Sequence, residues 1–109
     1  MHDPDYKSIA PRELKEKLAR GENPVLLDVR EPWEFDLARI EGSKLAPMAE
    51  ILERVPELDP GAETVVICHH GARSAYVTQL LSRSGFESVY NLEGGLDAYS
   101  SVDSSVPRY

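Results

Sequence analysis

Apolar positions along this chain fall into short continuous runs separated by spaced stripes. That alternation predicts most of its elements. Val25-Leu26-Leu27-Asp28-Val29 follows Pro24 and has the near-continuous apolar character of a buried parallel strand. Thr64 to Ile67 reads the same way, and Ser88-Val89-Tyr90 reads as a last strand. Ile9 closes a short first strand, and Ser43-Lys44-Leu45-Ala46 forms a weaker third. Between these runs the spacing turns helical. Leu14 and Leu18 stand four apart, bracketed by Pro11 and Gly21, although Ala10 is a poor N-cap. Glu31-Pro32-Trp33-Glu34-Phe35 starts a short helix, with Trp33 and Phe35 expected in the core. Met48, Ile51, Leu52 and Val55 share one helical face, and Pro56 to Gly61 is a loop.

Val77, Leu80 and Leu81 make a further stripe, with Ser74 as its N-cap and Gly85 at C′. Gly94-Gly95 turns tightly into a last short helix with Leu96 and Tyr99. Ser100 to Tyr109 is polar and expected to be loosely attached, which leaves a core over about residues 8–100 of a single domain, 1–109. Strands alternating with helices predict an α/β domain whose parallel sheet is covered on both faces. Sites in such sheets lie beyond the carboxyl ends of the strands, where Asp28-Val29-Arg30 and Cys68 both fall.

Composition narrows the classes. The chain has 109 residues, 41% of them hydrophobic, enough for a core without disulfides or metals. Its single cysteine forms no internal disulfide, so the fold does not need an oxidising compartment. No apolar stretch is long enough for a membrane span. Met1 to Tyr6 has neither the basic nor the apolar region of a secretory signal, and the default expectation is a soluble cytoplasmic protein. A net charge of -7 makes nucleic acid and anionic membranes poor partners. Glu50, Glu53 and Glu57 read as a solvated face.

Against this acidic background, the loop Cys68-His69-His70-Gly71-Ala72-Arg73-Ser74 carries no carboxylate. It follows an apolar strand and precedes a helix, which places a thiol beside unpaired backbone N–H groups. A helix N-terminus and nearby cations lower a cysteine pKa from ~8.5 to between ~3.5 and 7.5. Gly71 permits the sharp turn that points N–H groups inward, and Arg73 offers a planar fork to a tetrahedral oxyanion. Cys68, His69 and His70 are too close in sequence to converge on one ion. His2, the remaining candidate ligand, sits in the terminus, so no metal site is expected. The histidines are expected to tune the loop or to meet substrate.

These residues resemble the single-domain rhodaneses. Cys68 to Arg73 is similar to the six-residue Cys-x-x-Gly-x-Arg loop of that family. Leu26-Leu27-Asp28-Val29-Arg30-Glu31, followed by Trp33-Glu34-Phe35, resembles the signature at its first active-site strand end. Asn91 to Tyr99 resembles its Gly-Gly turn. The resemblance covers about residues 8–100. Arg39 stands where many members have histidine, and Tyr99 where many have tryptophan. Neither change touches the nucleophile or the loop arginine.

The resemblance implies a rhodanese-like five-stranded parallel sheet and a sulfurtransferase with Cys68 as nucleophile. A Cys68 persulfide would carry sulfur from thiosulfate or a related donor to a thiol, with a protein thiol such as thioredoxin among the acceptors. No metal or organic cofactor is implied. Substrate would be held by His69, His70, Gly71, Ala72, Arg73 and Ser74, and Arg73 would bind the sulfonate end of the donor. Asp28 and Arg30 support two readings: contact with the loop or substrate, or a structural role in which Arg30 and Glu31 fix the strand end. The second is preferred. A module that carries sulfur or docks a partner with little turnover is the alternative of a different class. Cysteine-dependent phosphatases have five residues between cysteine and arginine, and this chain has four. The smaller cradle suits sulfur better than a phosphoryl group.

Overall fold

The computed structural model describes residues 6–109. The readings that fall on Met1 to Asp5, namely the missing secretory signal and the candidate ligand His2, lie outside those residues.

Five strands, β1 (Lys7–Ile9), β2 (Val25–Asp28), β3 (Lys44–Leu45), β4 (Thr64–Ile67) and β5 (Val89–Leu92), form one parallel sheet in the order β1-β5-β4-β2-β3. Val25 stands opposite Thr64, and Asp28 opposite Ile67. Central β4 is buried at every position, the physical reason for its unbroken apolar run. The helices are α1 (Pro11–Ala19), α2 (Pro32–Leu37), α3 (Ile51–Arg54), α4 (Ala72–Arg83) and α5 (Gly95–Tyr99).

Strand side chains alternate between two cores. Leu26, Val65, Ile67 and Leu92 pack with Leu14 of α1 and with Leu96 and Tyr99 of α5. Leu27, Val66 and Val89 pack with Ile51 of α3 and with Val77 and Leu81 of α4. Each such side chain gains roughly 1.5–3 kcal/mol by leaving water, so the two layers fix the strand order. β2 and β4 are neighbours, but the chain leaves them on opposite sides. After β2, Ala38 and Ile40 join the first core, whereas α4 follows β4 into the second. That divergence makes the ends of β2 and β4 the topological switch point of the sheet, and Cys68 stands at it.

Four expectations are corrected. Leu52 is 72% exposed. The segment from Met48 to Glu57 is a 3-10 turn, one turn of α-helix and a second 3-10 turn, so its side chains rotate out of the phase of a continuous helix. Trp33 is 61% exposed, and Phe35 is half-buried beneath the Arg39 guanidinium at 4.6 Å, so neither is core. Ser74 is not the N-cap of α4. Gly71, at φ 100°, takes that place, and Ser74 is buried in the first turn. The segment from Ser100 to Tyr109 is not loosely attached. Val106 is buried in the first core with Val102 and Tyr109 packed against it, apolar anchors hidden in a polar stretch.

Candidate active site

Cys68 follows the last residue of β4, and its side chain is buried. Its Sγ accepts the Gly71 N–H at 3.0 Å and lies 3.2 Å from Ser74 Oγ. The loop reaches this shape by turning its carbonyls away from the sulfur. Cys68 O accepts the Leu96 N–H at 2.8 Å, and His69 O accepts the Asp97 N–H at 3.0 Å. Two donors at the start of α5, which have no partner within that helix, are thereby satisfied by the loop. The approach is close enough to exclude side chains. A Cβ on Gly95 would lie 2.4 Å from His69 O, and one on Gly71 would lie 3.2 Å from Gly94 N. The Gly94-Gly95 turn is therefore the floor on which the cysteine loop rests.

Asn91 of β5 holds the loop from beneath. Its Nδ2 donates to Gly71 O at 3.3 Å, and its Oδ1 accepts from Ser74 Oγ. A hydroxyl has one proton. With that proton on Asn91, Ser74 Oγ is an acceptor toward the cysteine.

Arg73 points across to α2. Its Nη1 and Nη2 donate to Glu34 Oε1 and Oε2 at 2.6 and 2.9 Å, a parallel fork. Glu34 is nearly fully buried, and the Arg73 bonds hold its carboxyl down to about 2. The same bonds push the guanidinium above its ordinary value. Arg73 remains one-third exposed.

Arg30 is fully buried and does not line the loop. Its Nε and Nη2 donate to Asp28 at 2.8 and 2.7 Å, Nη2 also reaches Ala38 O at 2.6 Å, and Nη1 reaches the Tyr109 hydroxyl at 2.8 Å. The partner of Arg30 at the strand end is thus Asp28 and not Glu31. Among the loop residues, Ala72 is exposed on the first turn of α4. His70 is 68% exposed and lies 3.9 Å from Asp97. His69 is half-buried, its ring between those of His70 at 4.0 Å and Tyr109 at 4.1 Å. Burial first, and then the neighbouring imidazole of His70, lowers the His69 pKa from its ordinary value. Among the described residues, no group of three His, Cys, Asp or Glu side chains is placed to hold a metal ion.

Sequence reasoning passed over Glu34, Asn91 and Tyr109 as site residues. A signal existed for the first two. Glu34 stands at the third helical position behind Glu31 and Pro32, and its Oε1 accepts the Glu31 N–H at 3.1 Å. Asn91 is an amide inside a buried strand, which needs polar partners. Nothing local marked Tyr109.

A model of the rhodanese-like domain matches residues 10–102. The chain is 40% identical to the rhodanese-like/PpiC domain-containing protein 12, chloroplastic, of Arabidopsis thaliana, covering 94% of this chain and 37% of that protein's length. It is 30% identical to the thiosulfate sulfurtransferase GlpE of Ectopseudomonas mendocina, covering 87% of this chain and 85% of that one. The crystal structure of a rhodanese-like domain protein from Staphylococcus aureus superposes with a TM-score of 0.84 at 31% identity, over 94% of this chain and 98% of that one.

Proposed function

This chain belongs to the rhodanese-like family, and from that premise we propose that it moves sulfane sulfur through a persulfide on Cys68. The observation that carries the reading is the Gly71 N–H aimed at the buried Cys68 Sγ at 3.0 Å. A preorganised backbone donor stabilises negative charge on sulfur, in the thiolate and in the persulfide alike. The thiolate attacks the outer sulfur of thiosulfate or of a related persulfide. With thiosulfate the bond to the sulfonate breaks and sulfite leaves with the electron pair; with a persulfide the S–S bond breaks and the donor's thiolate leaves with it. A thiol acceptor, a small molecule or a protein thiol of the thioredoxin kind, then attacks the outer sulfur and restores the thiolate. Covalent catalysis divides one transfer into two easier ones and calls on no metal or organic cofactor.

Arg73 receives the anionic end of the donor through donor positions that Glu34 leaves open. Gly71 and Ser74 define the cradle, while His69 and His70 form its rim and Ala72 its outer lip. The naming of a relative as a thiosulfate sulfurtransferase supports thiosulfate as the first donor to try. A reducing compartment such as the cytoplasm keeps the single thiol free for this work. Among the described residues no helix is long and apolar enough to cross a membrane.

A second reading, a sulfur carrier or regulatory module with little turnover, draws on a different observation. The Arg73 charge is already offset by Glu34, and the cysteine is buried. One measurement separates the two: intact mass after thiosulfate treatment and removal of excess donor, then again after cyanide. A gain of about 32 Da that cyanide removes as thiocyanate, absent in Cys68→Ser, supports the transfer cycle. Sulfur gained from a persulfide donor but released only to a protein thiol favours the carrier. No gain from either donor, in folded protein with a reduced thiol, rejects both sulfur readings.

A further inference from the structure

Tyr109 lies outside the residues that the family model matches, yet its hydroxyl sits in the charge network beside the cysteine. The phenol oxygen accepts from Arg30 Nη1 at 2.8 Å. An arginine only donates, so the phenol proton goes to Glu34 Oε2, also at 2.8 Å. The ring stacks on His69 at 4.1 Å with 16° between the planes.

Glu34 shows what this contact does. Its Oε1 takes the Glu31 N–H and Arg73 Nη1, while its Oε2 takes Arg73 Nη2 and the Tyr109 hydroxyl. A carboxylate has about four acceptor directions, and all are used. The carboxylate is locked in one orientation, and the Arg73 fork is locked with it. The Tyr109 hydroxyl also stands between Arg30 and Glu34. Without it, Arg30 Nη1 and Glu34 Oε2 each lose a hydrogen-bond partner, and the fork to Arg73 loosens. Arg73 stands in the first turn of α4, two residues after the Gly71 N–H that donates to Cys68 Sγ at 3.0 Å, so the fork sits on the segment that wraps the sulfur.

We infer that Tyr109 is a positioning residue: through Glu34 it holds the Arg73 guanidinium in place beside the Cys68 thiol, and so sets how the site treats anionic against neutral partners of that thiol. The inference deepens the reading of Arg73 as receiver of an anionic donor, and rests on it.

Alkylation tests it without sulfur chemistry. Iodoacetate and iodoacetamide form the same S–C bond with Cys68 and release the same iodide, but only iodoacetate carries a carboxylate. The ratio of their rates reports positive charge at the thiol. Tyr109→Phe deletes one oxygen and leaves a ring on His69. It changes no charge near neutral pH, because burial pushes the phenol up to about 12. The iodoacetate-to-iodoacetamide ratio is expected to fall about threefold in Tyr109→Phe, the scale of a unit charge loosened in a partly screened site, and further in Arg73→Ala. Tyr109→Leu also removes the ring, so both rates rise while the ratio falls at least as far. A role in packing alone alters access for both reagents and leaves the ratio unmoved. An unchanged or raised ratio in Tyr109→Phe overturns the inference. A chain that takes up no sulfur still gives this answer, so failure of the sulfur-transfer reading and failure of the inference are read separately.

Discussion

Glu34 and Arg73 stand 39 residues apart in sequence and meet as a two-bonded fork at 2.6 and 2.9 Å. Glu34 belongs to the helix after β2, Arg73 to the first turn of the helix after β4. The pair therefore ties together the two strand ends between which the cysteine lies.

Glu34→Gln should lower stability by about 1–3 kcal/mol, between the values of exposed and buried pairs, because Glu34 is buried and Arg73 is one-third exposed. The same change lets the guanidinium drift from its place beside the thiol. Affinity of the Cys68 site for thiosulfate should therefore fall together with the melting temperature. Calorimetry and the donor KM check the two halves. A tighter KM would mean that the fork restrains Arg73 more than it positions it.

Acid should weaken the fold through the same carboxylate. Glu34 titrates at about 2 in the folded chain against an ordinary 4.5. Its contribution is complete above about pH 4.5 and disappears as pH falls through about 2, on the order of 3 kcal/mol in all. Urea midpoints of wild type and Glu34→Gln should converge as pH drops through that window. Parallel curves would assign acid sensitivity to other groups.

Gly95→Ala should damage stability and the cysteine loop together. Gly95 has φ 64°, and a Cβ there meets His69 O at 2.4 Å and Cys68 O at 2.6 Å. Backbone must shift, at a cost of about 2 kcal/mol or more. Sulfur uptake should fall in the folded fraction, because the displaced loop carries the Gly71 N–H away from Sγ. Full uptake by a folded variant would show that the cradle tolerates the shift. Gly21 makes a useful control. It has φ 83° but nothing within 4 Å of an added Cβ, so its alanine variant should lose stability and keep uptake.

What the sequence made legible was local. The apolar runs of β2 and β4 announced a buried sheet, and Cys68 with Gly71 and Arg73 announced the loop, because strand period, turn and helix start all fall within one short stretch. Three-dimensional partners were less visible. Arg73 read as a free anion receptor, since nothing in its neighbourhood pointed to Glu34. Ser74 has an N-cap's chemistry and fits that role by propensity. Gly71 displaced it by taking the left-handed position, and the hydroxyl went to Cys68 and Asn91 instead. Tyr109 was hidden by the polar composition around it. A single aromatic ring with two anchoring valines outweighs several serines once a core is there to receive it.

Cys68→Ser should remove sulfur uptake and leave the domain folded. The hydroxyl is smaller than the thiol and meets polar neighbours, the Gly71 N–H and Ser74 Oγ, so the substitution should cost less than about 1.5 kcal/mol. Denaturant melts and intact mass give both readouts. Uptake near wild type would reject Cys68 as the nucleophile.

Arg73→Ala offers the sharpest separation of structure from substrate binding. It strands Glu34, 4% exposed at its side chain, without its main partner. Breaking one side of such a pair costs up to about 3–5 kcal/mol when both members are buried, and less here because the guanidinium reaches solvent. Stability therefore falls, with any donor. Donor discrimination is the independent part. With Arg73 gone, kcat/KM for thiosulfate should drop by about tenfold or more, as expected of a lost charged hydrogen bond. The value for an uncharged alkyl persulfide should drop much less. Pairing the change with Glu34→Gln sharpens the test: the double variant recovers stability, since no carboxylate is stranded, but does not recover thiosulfate. Equal losses with both donors would assign Arg73 to the scaffold and leave anion binding to the loop N–H groups alone.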